Sequence, residues 1–83
     1  MEKENRLAVV GIVVFNREES AKKVNDILSL YGNLIVGRMG IPYKEKGVSI
    51  MSIIVDGTMD EIGALTGKLG NIQGVKAKVT VTY

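Results

Sequence analysis

The chain has 83 residues, 46% of them hydrophobic and 24% charged, with a formal net charge of +2 and neither Cys nor His. That length allows one small domain spanning 1–83, and the missing Cys and His exclude disulfides, thiolate or imidazole catalysis, and nearly every zinc, nickel or iron–sulfur site. The lysines (Lys22, Lys23, Lys44, Lys46, Lys76 and Lys78) are interleaved with acids, so no basic stripe asks for nucleic acid.

Residues 1–5 are polar and read as a disordered tail with no secretory apolar core. Arg6 to Phe15 is a β-branched run, as expected of a strand buried on both faces. Gly11 in its middle suggests close packing or a bulge. Asn16 offers an N-cap with Glu19 as its capping-box partner. Ala21, Val24, Leu28 and Tyr31 then fall on one helical face, and Gly32 is placed to end the helix in the left-handed conformation. Asn33 to Gly40 reads as a second strand, and Ile41 to Gly47 as a loop with the only proline, Pro42. Val48 to Val55 reads as a third strand, antiparallel to the second. Thr58 and Glu61 form a capping box opening a second helix with Ile62, Leu65, Leu69 and Ile72 on its apolar face. Val75 to Tyr83 alternates apolar with polar residues and ends the chain as an edge strand guarded by Lys76 and Lys78.

The order β-α-β-β-α-β predicts an α+β ferredoxin-like sandwich. Right-handed crossovers put both helices on one face of a four-stranded antiparallel sheet. The other face then has no cover, although the first and third strands are apolar at both parities. An uncovered apolar face of that kind marks an interface, so the sequence predicts a homo-oligomer, a dimer or tetramer.

Candidate contacts for a ligand lie in two stretches. Arg38 and Gly40 follow the second strand, where a guanidinium can meet a carboxylate or phosphate bidentately; a solvated or interface ion pair is the plainer reading. Gly63, Gly67 and Gly70 share one face of the second helix, opposite its apolar face. They permit close packing on the first helix or another subunit, or close approach of a ligand, with Lys68 beside them. Asn16 is first a cap and second a ligand contact. Gly67-Lys68 is not a phosphate loop, because Ile62 and Leu69 stand where that motif needs Gly and Ser or Thr. The third strand lacks the aromatics of an RNA-recognition motif. No convergent pair of carboxylates, Lys, Tyr, Ser or Thr suggests an enzyme, and no cofactor is implied.

At three motifs the chain becomes recognisable: Val24-Asn25-x-x-Leu28, Arg38-x-Gly40-x-Pro42, and Ile62-Gly-Ala-Leu-Thr-Gly-Lys-Leu-Gly-x-Ile-x-Gly-Val75. With these it resembles the family of small ACT-like proteins described as regulators of the iron-only hydrogenase system, from Arg6 to about Lys78. The resemblance implies an ACT-like fold, akin also to the C-terminal domain of nickel-responsive repressors, and a regulatory role with a small effector held at a subunit interface. Without His or Cys the nickel site of those repressors cannot be reproduced. The alternative is an adaptor for a hydrogenase-maturation protein, with no small ligand. Nothing before Arg6 reads as a DNA-binding segment, so a transcriptional role would need a partner protein. No apolar run approaches about 18 residues, and a cytoplasmic protein without membrane contact is expected.

Overall fold

A computed structural model describes residues 4–15 and 18–83. The expected tail over residues 1–5 and the Asn16 cap therefore fall wholly or partly outside the described residues.

The elements are β1 (Arg6–Phe15), α1 (Glu18–Leu30), β2 (Ile35–Tyr43), β3 (Val48–Gly57), α2 (Met59–Gly70) and β4 (Val75–Val81). The sheet order is β2-β3-β1-β4, with every neighbouring pair antiparallel. This is the ferredoxin-like βαββαβ arrangement read from the sequence. The two most apolar strands, β1 and β3, take the centre, and the lysine-bearing β4 takes an edge.

One face of the sheet makes the core. Ala8, Val10, Ile12 and Val14 of β1 and Ile53 and Val55 of β3 are buried together with Val24 and Leu28 of α1 and Ile62, Leu65 and Leu69 of α2. The alternation is strict because side chains on a strand change face at each residue. Thr58 starts α2 with the full capping box: its backbone N–H donates to Glu61 Oε1 at 2.8 Å, and the Glu61 N–H donates to Thr58 Oγ1 at 3.2 Å. The start of α1 is tied to the turn between α2 and β4 by Ser20, whose buried hydroxyl donates to the Gln73 carbonyl at 2.7 Å. The next residue, Gly74, has φ +81°, open to glycine at no steric cost, and its carbonyl accepts from the Phe15 N–H at 2.9 Å.

Three expectations are corrected. Gly32 does not adopt the left-handed conformation; it opens a 3-10 turn over Gly32–Leu34, closed by the Leu34 N–H donating to the Tyr31 carbonyl at 2.9 Å. The second strand starts later and runs further than the composition suggested, from Ile35 through Pro42 to Tyr43. Pro42 is tolerated because β2 is an edge, where a missing N–H need not break a ladder on both sides. A 3-10 turn over Lys44–Lys46 and left-handed Gly47 then lead into β3. Finally, Gly11 marks neither a bulge nor a close contact: β1 pairs with β3 without a break, and an added Cβ would meet nothing within 4 Å.

Candidate functional site

The bulge is in β2. Ile35 pairs with Val55 and Gly37 with Ile54, so Val36 is an extra residue. Because strand side chains alternate, one extra residue exchanges the faces of all that follow. Arg38, Gly40 and Pro42 are thereby turned to the helix side, opposite Ile53, Met51 and Ser49, while Met39, Ile41 and Tyr43 join the open side.

The open side is apolar over three strands. Leu7, Val9 and Phe15 from β1, Ile50 and Ile54 from β3, and Met39, Ile41 and Tyr43 from β2 are all exposed, Met39 at 72% and Ile41 at 54%. Pairing arranges them in cross-strand rows. Val9 and Ile54 form one row, and Val13, Ile50 and Ile41 another. Between these rows Gly11 stands opposite Ser52, leaving a dip. The dip continues at the β2 edge as a hollow of about 270 Å³ lined by Gly37, Arg38, Met39, Ser52 and Ile54. On the far edge Lys76 and Lys78 border the face, with Lys76 Nζ lying 5.7 Å from the centre of the Phe15 ring.

The helix side of β2 carries a second feature. Arg38 Nη2 donates to Asn25 Oδ1 on α1 at 3.2 Å. This pair stands at one end of an open groove of about 290 Å³ that Gly40, Pro42, Ser49 and Met51 also line. Gly40 keeps the floor clear: a Cβ there would lie 3.2 Å from Met51 Cγ. A neighbouring hollow at the hairpin tip shares Pro42 and Ser49 and is lined by Lys44.

Arg38 and Gly40, singled out from the sequence, are thus brought into one groove. Gly63, Gly67 and Lys68 are not part of it; they lie on the exposed outer side of α2, which packs mainly on β4. Of the alternatives for the glycines, packing against α1 is not present, since a Cβ at Gly63, Gly67 or Gly70 would meet nothing within 4 Å. Asn16 lies outside the described residues. Asn25 and Ser49 were missed as groove residues. Asn25 stood within a sequence motif, but only the fold carries it to Arg38. Among the described residues no group of three or more carboxylates could hold a metal ion, and no described helix is long and apolar enough to cross a membrane.

A model of the TM1266-like family, described as iron-only hydrogenase system regulators, matches residues 6–79. The solved structure of TM1266, an uncharacterised protein from Thermotoga maritima, is 36% identical and superposes with a TM-score of 0.94, covering 96% of this chain and 100% of that one. The ACT domain of a GTP pyrophosphokinase from Chlorobium tepidum superposes with a TM-score of 0.78 at 18% identity, over 92% of this chain and 99% of that one. A formyltetrahydrofolate deformylase from Pseudomonas putida gives 0.66 at 9% identity, over 92% of this chain but 29% of the enzyme. These last two likenesses establish the fold, which is ACT-like. None of the curated proteins matches the chain.

Proposed function

Because the chain belongs to the TM1266-like iron-only hydrogenase system regulator family, we propose that it is a non-catalytic regulatory module of that system which works as a homo-oligomer, in the cytoplasm, and responds to a small effector. The observation that carries this reading is the uncovered apolar sheet face. Four strands at about 4.8 Å spacing, each some eight residues long at about 3.4 Å, span a face on the order of 500 Å². Its apolar part, on β1, β2 and β3, covers on the order of 400 Å², within the range of the largest apolar patch on a typical monomer, and β4 adds a polar rim with Lys76, Lys78 and Thr80. Two whole faces together bury on the order of 1,000 Å², the threshold of a specific interface. The rows on either side of the Gly11–Ser52 dip have the form that interdigitating sheets use. The occupant is therefore a second copy of the chain, giving a dimer or, by repetition on another surface, a tetramer.

Regulation follows if an effector binds the two subunit arrangements unequally and shifts their populations. The candidate contacts are Arg38 and Gly40 in the groove, with Asn16, Gly63, Gly67 and Lys68 as further positions.

Size-exclusion chromatography with light scattering tests the reading. The wild-type chain is expected at twice or four times its 9.0 kDa. Ile50→Glu and Ile54→Lys are expected to run as folded monomers, because an unpaired charge cannot be desolvated in the interface at small cost. A monomeric wild type, or variants that associate unchanged, would refute it. A second reading, an adaptor for a hydrogenase-maturation protein, is favoured by the bare outer side of α2, where Gly63, Gly67 and Gly70 leave the helix backbone open to approach. Capture of a maturation enzyme that Gly67→Leu abolishes is its expected signature.

A further inference from the structure

We propose that the groove between α1 and the β2–β3 hairpin binds a small organic anion through its carboxylate or phosphate oxygens, with Arg38 as the anchoring residue. This deepens the regulatory reading above and rests on it for its biological sense, but the physical case is separate.

The first observation is the aim of Arg38. Were Val36 paired in an unbroken ladder, alternation would turn Arg38 to the open sheet face and Met39 to the helix side. The bulge reverses both. Bulges re-aim side chains in this way at functional sites. An arginine is thereby delivered to a position beside α1 that an ordinary strand would give to an apolar residue.

The second observation is that Arg38 is under-used there. A guanidinium has five N–H donors. Arg38 spends one, on a neutral amide oxygen at 3.2 Å, longer than the 2.7–2.9 Å typical of an arginine–carboxylate bond. Among the described residues no carboxylate pairs with it. The remaining donors keep the planar fork that fits two oxygens of a carboxylate or phosphate.

The third observation is what surrounds that fork. The Ser49 hydroxyl lines the same groove and makes no hydrogen bond with the described residues. Gly40 leaves the floor without a side chain, and Pro42 and Met51 make it apolar. No acidic side chain lines the groove, while Lys44 lines the adjoining hollow. Glu45 and Lys46 follow it in the same turn, so the turn keeps a net positive charge. Such a site holds an anionic head at Arg38, a polar contact at Ser49 and a short apolar body over Pro42 and Met51. The body distinguishes the ligand from inorganic phosphate, for which the apolar floor has no use. The groove of about 290 Å³ sits at the small end of ligand sites, so the anion is of metabolite size.

The test is an amide NMR titration of the full chain with three probes: isovalerate, phenyl phosphate and inorganic phosphate. Saturable shifts of the Gly40 and Ser49 amides are expected with isovalerate, phenyl phosphate or both, and these two arms separate the carboxylate from the phosphate source. Inorganic phosphate is expected to bind more weakly. Arg38→Ala is expected to weaken binding about tenfold or more, the worth of a lost charge-assisted pair, and Arg38→Lys is expected to recover only part. Gly40→Val blocks the groove from a different residue. The proposal is overturned if no probe saturates by about 20 mM, well above millimolar affinity, if Arg38→Ala leaves the shifts unchanged, or if inorganic phosphate binds best. Light scattering on the same samples keeps the two readings apart. An oligomer that binds no anion refutes this inference alone, and a monomer that binds one refutes only the proposed assembly.

Discussion

Replacing Gly63 and Gly67 of α2 by alanine is expected to stabilise the protein. Both glycines have ordinary negative φ, and a Cβ at either would meet nothing within 4 Å. Each alanine therefore gains its helix propensity, about 0.8–1 kcal/mol, without a steric penalty. The two methyl groups fall a turn apart and share no partner, so their effects should add to about 1.5–2 kcal/mol. In a domain of this size 1 kcal/mol moves the melting temperature by about 4–8 °C. The double variant should thus melt roughly 10 °C higher. Its urea midpoint should rise by about 1.5–2 M for a slope near 1 kcal/mol per M. Urea unfolding followed by far-ultraviolet circular dichroism, at two protein concentrations tenfold apart, separates this gain from any change in association. A loss of stability at both concentrations would refute the reasoning, for it would mean that the glycine side of α2 is packed against something within the folded chain.

Three further outcomes follow from single contacts. Thr58→Ala removes the hydroxyl that accepts from the Glu61 N–H and should cost about 1 kcal/mol in urea unfolding, with Thr58→Ser recovering most of it. Ser20→Ala removes the hydroxyl that donates to the Gln73 carbonyl and should cost about 1 kcal/mol, read by thermal unfolding. Gly11→Val fills the dip between the two apolar rows; it should leave the unfolding of a dissociated sample unchanged or improved, as a β-branched residue in an open strand position does, while sedimentation equilibrium records weaker self-association.

Much of this architecture is written locally. The unbroken β-branched run from Arg6 to Phe15 has the same limits in the fold, because its apolar residues suit both of its faces. Thr58 and Glu61 announce α2 through two reciprocal hydrogen bonds within one turn. The β2 segment is different. Its length depends on having only one neighbour, which is why Pro42 is admitted, and its bulge depends on pairing with β3. Neither can be read from residues 35–43 alone. The same bulge decides that Met39 and Ile41 enlarge the open face while Arg38 leaves it, so the site was half legible. Arg38 and Gly40 stood out as residues, but Asn25 and Ser49, distant in sequence, join them only through the fold. The glycine side of α2 follows from helical spacing; that it stands clear of α1 does not.

The most direct measurement of the central claim, that two copies bury their open sheet faces against each other, is an isotope-filtered NOE experiment on a mixture of labelled and unlabelled chains. The account predicts intermolecular NOEs among the methyl groups of Val9, Val13, Met39, Ile41, Ile50 and Ile54. Intermolecular NOEs confined to the helical side, or none at concentrations where light scattering reports an oligomer, would contradict it.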